Sequence, residues 1–313
     1  MKKLAFILLV VLISGCDLGN LFGNKEDPVD IITYGQIHSG SQGIEASYLP
    51  DRPQSIYVVD TQQDIVLAFE IENKGAVDVT GGIISLNFDP LYVNFDEKHK
   101  NFDLLGRSIY SNKGEKKALF FNGKINALAE DKKEITINAV TCYDYSTEYL
   151  FDVCIDTDPA NTRPNKKACD YLENKKKYSS LGGQGGPVII SKLDQTINTI
   201  PGGIETEFII YITNGGKGKI YDPSSGIDKL CLQGGSVDTV DYVTVTAELA
   251  GKKLTCPSKI RVFEGEGGIA NCKINTGISE NQASYLSNLK VKLDYDYVDT
   301  FGKNVILRQQ GAN

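Results

Sequence analysis

The chain has 313 residues and a formal charge of -7, from 33 basic and 40 acidic side chains. That balance, with no cluster of arginines, argues against nucleic acid as a partner, because phosphates demand a basic face. Thirty-one glycines and 16 tyrosines beside one methionine and no tryptophan suit a tyrosine- and glycine-rich β protein.

At the start, Lys2 and Lys3 precede an apolar run from Leu4 to Ile13, then Ser14-Gly15-Cys16. A basic stretch, a short apolar core and small residues make the plan of a secretory signal peptide. The run falls short of the roughly 20 apolar residues that span a bilayer. Leu12-Ile13-Ser14-Gly15-Cys16 resembles the lipobox of prokaryotic lipoproteins. The resemblance implies that residues 1–15 are removed and that Cys16 becomes a lipidated N-terminus. The protein would then sit on the extracytoplasmic side of a membrane, at the cell surface or the periplasmic face. Losing the two leader lysines takes the formal charge from -7 to -9. Residues 16–42 read as the lipidated cysteine and a polar tether, carrying Gly19, Asn20, Gly23, Asn24 and Pro28 without an apolar period. Six further cysteines follow, Cys142, Cys154, Cys169, Cys231, Cys256 and Cys272; an even number in an exported chain implies three disulfides.

From residue 43 to 158 the pattern is that of strands. Ile65, Leu67, Phe69 and Ile71 fall on every second position until Asn73-Lys74-Gly75 breaks the run. Further strands are expected at 83–88, 117–121, 134–145 and 149–155, the last two as an antiparallel hairpin centred on Glu148. Residues 159–187 differ, holding Pro159, Pro164, Lys175-Lys176-Lys177 and a glycine run ending at Pro187. They read as a linker, with a short helix expected over 164–178 and the lysines as a solvated loop. Residues 188–308 return to strands, at 188–190, 208–212, 237–249, 259–263, 289–297 and 303–307, before a short tail at 309–313.

The halves share motifs in the same order. Asn73-Lys-Gly75 corresponds to Asn214-Gly-Gly216, and Tyr143-Asp144-Tyr145 to Tyr295-Asp296-Tyr297. Two motifs in common order argue for tandem copies of one domain. An apolar alternating strand ending in Asn-x-Gly, as at Ile71–Val79 and Ile212–Ile220, resembles the start of CARDB-like and related immunoglobulin-like domains of prokaryotic surface proteins. Short strands between turn signals agree with a sandwich. The expected fold is therefore all-β: two tandem immunoglobulin-like sandwiches after a signal peptide and tether. The resemblance implies a surface or adhesion module and no chemistry.

Candidate chemistry is sparse. His38 and His99 lie in no metal-binding spacing. Gly265-Glu-Gly267-Gly268-Ile-Ala270 satisfies a dinucleotide fingerprint, but the strand-like residues after it predict a hairpin loop. Asp152, Asp156 and Asp158 are weak calcium candidates, since calcium takes clustered carboxylate oxygens; their spacing is not that of a calcium loop. The repeated Asn-Phe-Asp at 87–89, 94–96 and 101–103 reads as solvated loop acids. No cofactor is expected. In the Tyr-Asp-Tyr motifs the rings continue the apolar face and are expected to cap the core, with Asp144 facing water. The hairpin places Cys142 opposite Cys154; Cys256 and Cys272 flank another hairpin, leaving Cys169 for Cys231. The competing pattern joins Cys154 to Cys169 and leaves Cys142 to find Cys231 or stay free. The expectation is a non-enzymatic, lipid-anchored surface protein with a protein or envelope-polymer partner. The alternative is a solute- or metal-binding lipoprotein serving a transporter or envelope enzyme.

Overall fold

Alternation becomes strand almost wherever it occurs. In a computed structural model, which describes residues 32–163, 167–201, 203–278 and 282–311, Ile65, Leu67, Phe69 and Ile71 are all buried on one face of a strand running from Gln63 to Asn73. The strands of the first half are β1 (Ile44–Tyr48), β2 (Ile56–Val58), β3 (Gln63–Asn73), β4 (Val79–Asn87), β5 (Val93–Phe95), β6 (His99–Leu104), β7 (Lys116–Ile125) and β8 (Lys132–Ile155). Those of the second are β9 (Val188–Ile200), β10 (Gly203–Asn214), β11 (Lys219–Tyr221), β12 (Tyr242–Leu249), β13 (Lys252–Lys253), β14 (Lys259–Arg261), β15 (Gly268–Asn275) and β16 (Tyr285–Arg308). Three short helices accompany them: α1 (Tyr34–Ile37), α2 (Tyr171–Lys176) and α3 (Ile227–Gln233).

The backbone of the molecule is the antiparallel ladder between β8 and β16, which runs without a break from Ile155↔Tyr285 to Lys132↔Arg308. On its other side β8 pairs with β4, while β16 pairs in succession with β12, β11 and, in parallel, β2. Together with β6, β13 and β14 these strands make one nine-stranded sheet. Two smaller sheets complete the layers, β1-β3-β7-β5 and β15-β10-β9. The odd-numbered side chains of β8 and β16 point inward, and one continuous core joins all three sheets. This is the all-β, sandwich-type architecture expected of the sequence.

Each long strand serves both halves. Ile135, Ile137 and Ala139 at the start of β8 join the core beside β3, whereas Phe151, Val153 and Ile155 at its end lie toward the second small sheet. Phe151 meets Tyr178 edge-on at 5.1 Å, and Gln195 of β9 donates to the Cys154 carbonyl. Reciprocally, Phe301 near the end of β16 packs on Tyr48 and Phe69 of the first half at 5.4 and 5.7 Å. A fully buried large apolar side chain is worth roughly 1.5–3 kcal/mol, so the three at the end of β8 bind the halves by several kcal/mol. The described residues accordingly belong to one compact unit.

The hairpin centred on Glu148 does not form. Ser146, Thr147 and Glu148 are interior residues of β8, and no glycine, proline, asparagine or aspartate interrupts the strand there. With β8 straight, Cys142 and Cys154 are twelve positions apart, about 40 Å along a strand, so they cannot bond. Cys142 joins Cys231 instead, Cys154 joins Cys169, and Cys256 joins Cys272. The last pair is the one expected from the flanking positions, and the other two follow the competing pattern. The stretch 159–187, expected as a linker, is held in place. Its helix starts at Tyr171, where the Asp170 carboxylate caps Leu172 N at 2.8 Å, and Asn174 is buried against the Cys154 and Asp152 backbone.

Candidate functional site

The four motif tyrosines occupy the centre of the inner face. Tyr145 stands opposite Tyr295, and Tyr143 opposite Tyr297, with neighbouring rings 5.8–6.3 Å apart. All four are buried, as the parity of the strands predicts. Burial holds each phenol protonated; those of Tyr145 and Tyr297 are pushed up to about 12. They therefore act as hydrogen-bonding groups, and they bind the turns of the other repeated motif. In the first half Asn73 donates to the Val77 carbonyl and accepts from Gly75 N, while Val77 N donates to Tyr145 Oη at 3.2 Å. In the second half Asn214 donates to the Gly218 carbonyl and accepts from Gly216 N, while Gly218 N donates to Tyr297 Oη at 2.8 Å. Ile44 N on Tyr143 Oη and Val188 N on Tyr295 Oη repeat the match. A Cβ on Gly75 or Gly216 would collide with the tyrosine hydroxyl, so each turn needs its glycine. These motifs are thus a structural lock.

The outer face of the same ladder is different, and here the repeat is broken. Asp144 and Asp296 are directly opposed, yet Asp144 is exposed and Asp296 is buried. In the first half β4 is one strand; in the second, β11 and β12 are separated by α3 and its flanking loops, which lie over Asp296. The loop before α3 brings Gly226 near the Asp296 carboxyl, whose Oδ2 is buried without a hydrogen-bond partner. Burial first, and then the charge of Asp144, pushes this carboxyl up to about 7. Asp222 beside it is neutralised by Lys259 and bonded by Ser224.

From there α3 reaches across to the first half. Cys231 is bonded to Cys142, and Ser85 Oγ donates to the Cys231 carbonyl at 3.0 Å. Between α3 and the paired ends of β4 and β6 lies an open groove of about 580 Å³. Leu86, Val140, Leu230 and Val298 give it apolar walls, and Tyr221 adds an aromatic face. Its basic side chains are Lys98 and His99, in a chain whose net charge is negative. A groove with an apolar floor and a few convergent polar groups is suited to holding a ligand. Sequence reasoning missed it, because its walls come from segments more than a hundred residues apart. The one available signal was the isolated position of Cys231, which implied that its loop is tied to something distant.

The other sequence candidates lie elsewhere. Cys16 falls outside the described residues. Asp156 and Asp158 are brought together, but their oxygens are already engaged: Asp156 Oδ2 with Lys167 Nζ at 2.8 Å, and Asp158 with Thr162 N, Thr162 Oγ1 and Arg163 N. Those donors, the Arg163 amide foremost, hold the Asp158 carboxyl down at about 2. Asp152 is exposed and accepts from Asn288 at 2.6 Å. Among the described residues no group of three or more His, Cys, Asp or Glu side chains is arranged to hold a metal ion. Lys175 in the last turn of α2 pairs with Asp194 at 3.5 Å. Also among the described residues, no helix is long and apolar enough to cross a membrane. Three disulfides are the chemistry of an oxidising compartment.

No protein-family model matches the chain, and no curated protein does. Among solved structures it is similar to red sea bream transglutaminase, at 11% identity and a TM-score of 0.20, covering 85% of this chain and 31% of that one. It spans, that is, about a third of the transglutaminase. It is also similar to the C-terminal domain of the Streptococcus pyogenes antigen I/II-family protein AspA, at 7% identity and 0.16, covering 86% and 100%. The Streptococcus agalactiae AgI/II polypeptide BspA C-terminal domain follows at 8% identity and 0.14, covering 85% and 100%. At such scores the all-β class rests on the strand pairings themselves.

Proposed function

We propose that the chain is a lipid-anchored, non-enzymatic surface protein that holds a binding face in fixed geometry for a protein or envelope-polymer partner. The observation that carries this reading is the unbroken ladder between β8 and β16. Because both long strands belong to both halves, there is no hinge between the sandwiches, and pulling one away from the other means shearing the longest ladder in the fold. Such a body suits display and load-bearing better than the opening and closing of a two-lobed solute carrier. The lipobox-like leader ending at Cys16 and the three disulfides support an extracytoplasmic setting.

The test uses the chain without its leader as bait in native envelope extract. The expected result is capture of a partner that is lost on combining Lys98→Glu with His99→Glu, at unchanged melting temperature. Capture that is indifferent to the groove places the partner elsewhere; no capture, with small solutes retained by equilibrium dialysis, overturns the adhesive reading. That second reading, a solute-binding lipoprotein, draws on the volume of the groove. Anchoring has its own test: Cys16→Ser releases the protein from membranes or leaves the leader uncut.

A further inference from the structure

The connection from β6 to β7 aims apolar side chains at water from a rigid support. Ser108 and Ser111 exchange both backbone hydrogen bonds, at 2.8 and 3.1 Å, so Ile109 and Tyr110 form the two-residue tip of a tight hairpin. Ile109 is 59% exposed and Tyr110 90%, and Leu105 at the base is 61% exposed. The base is pinned on every side. Gly106 N donates to Asp78 Oδ1 at 2.7 Å, Leu105 N to Glu115 Oε2 at 3.0 Å, and Arg107 N to the Gly75 carbonyl at 2.9 Å. A floppy loop could fold such residues back onto the protein; this hairpin cannot. Large apolar groups held out in this way mark a contact surface.

The Arg107 side chain identifies what lies beside the tip. Its guanidinium donates to Ser39 Oγ at 3.0 Å and to the Gln36 carbonyl at 3.3 Å, clamping the hairpin to the end of α1. α1 is the first described element, and the chain enters it from Ile32. The segment from Cys16 to Ile32 can span no more than about 55 Å even when fully extended. The apolar tip therefore stands at the point where the tether joins the folded body.

We infer that this tip is a second membrane contact, inserting Ile109 and Tyr110 into the lipid surface to which the tether leads. The inference rests on the anchored reading given above. Isoleucine suits the acyl region and tyrosine the headgroup boundary, while Lys113 two residues beyond the turn suits anionic headgroups. A tethered tip is at high effective concentration near the bilayer, so a contact too weak to hold a free protein still engages. Two attachment points fix the orientation of the body, where one tether alone leaves it free to tumble.

The absence of tryptophan makes the test direct. Tyr110→Trp supplies a single reporter; Val237→Trp, at a position 83% exposed, supplies a control. The lipidated chain is placed in phosphatidylcholine–phosphatidylglycerol vesicles, with and without brominated acyl chains. The expected result is blue-shifted emission, quenched by bromine, at position 110 and neither change at 237. Equal exposure to water at both positions overturns the inference, as does a blue shift at 110 on concentrating the chain without vesicles, which means self-association. In the lipidated Tyr110→Trp chain, Ile109→Ser is expected to reduce both the blue shift and the bromine quenching at position 110. Mass spectrometry of residue 16 separates the two ideas. A lipidated chain whose reporter stays in water sinks the tip alone, and an unlipidated chain whose reporter still enters vesicles sinks the anchor alone.

Discussion

Replacing Asp296 with asparagine should make the protein more stable at pH 8 and remove much of its pH dependence. Asp296 is buried under the loop before α3, with one oxygen unpartnered and Asp144 directly opposite. Its carboxyl is pushed from the usual 3.8 up to about 7 by burial, with the Asp144 charge adding to it. The folded protein therefore binds this proton more tightly than the unfolded chain does. The stabilisation is complete below about 4 and is lost as pH rises through about 7. About three pKa units at roughly 1.4 kcal/mol each set an upper bound of about 4 kcal/mol. Screening by water around the loop brings the working figure to about 2 kcal/mol. The facing groups on packed elements are Asp144 of β8 and Asp222 with its partner Lys259, so Asp144→Asn should flatten the profile in part. Urea unfolding at pH 5, 6, 7 and 8, followed by tyrosine fluorescence, measures the difference between wild type and Asp296→Asn; titrations common to both cancel. A difference that does not change with pH would refute the reasoning, because Asp296 would then be ionised throughout.

Two further outcomes concern the bridge between the halves and the tyrosine locks within them. Replacing Cys142 and Cys231 together with alanine reopens a loop of 89 residues, which the chain-entropy relation values at about 4–5 kcal/mol; denaturant midpoints measure the loss, and non-reducing peptide mapping of the wild type should yield a Cys142–Cys231 peptide. Tyr145→Phe leaves Val77 N and the Gly185 carbonyl without the hydroxyl they share and should cost about 1–3 kcal/mol, with Tyr297→Phe costing a similar amount through Gly218 N and Asn214. A large asymmetry between those two variants would show that the repeated motifs do not play equivalent parts.

Much of this molecule is legible in local pattern. Period-two alternation names the strands, and its parity places Tyr143, Tyr145, Tyr295 and Tyr297 on the buried face, because neighbouring side chains on a strand must point opposite ways. The repeated Asn-x-Gly and Tyr-x-Tyr motifs announce an internal duplication, and in the fold each asparagine turn is bound by a tyrosine of its own half. Partner choice is another matter. A hairpin about Glu148 and a straight strand bury the same residues of β8, so parity cannot separate them; the separation comes from β16, lying alongside over the whole length. The disulfides follow from that choice, since a straight β8 holds Cys142 and Cys154 about 40 Å apart and each finds another partner. Asp144 and Asp296 have the same neighbours in sequence and opposite fates. One faces water and the other lies under a loop that exists in one half alone, and burial by a distant segment leaves no mark on the residues it covers.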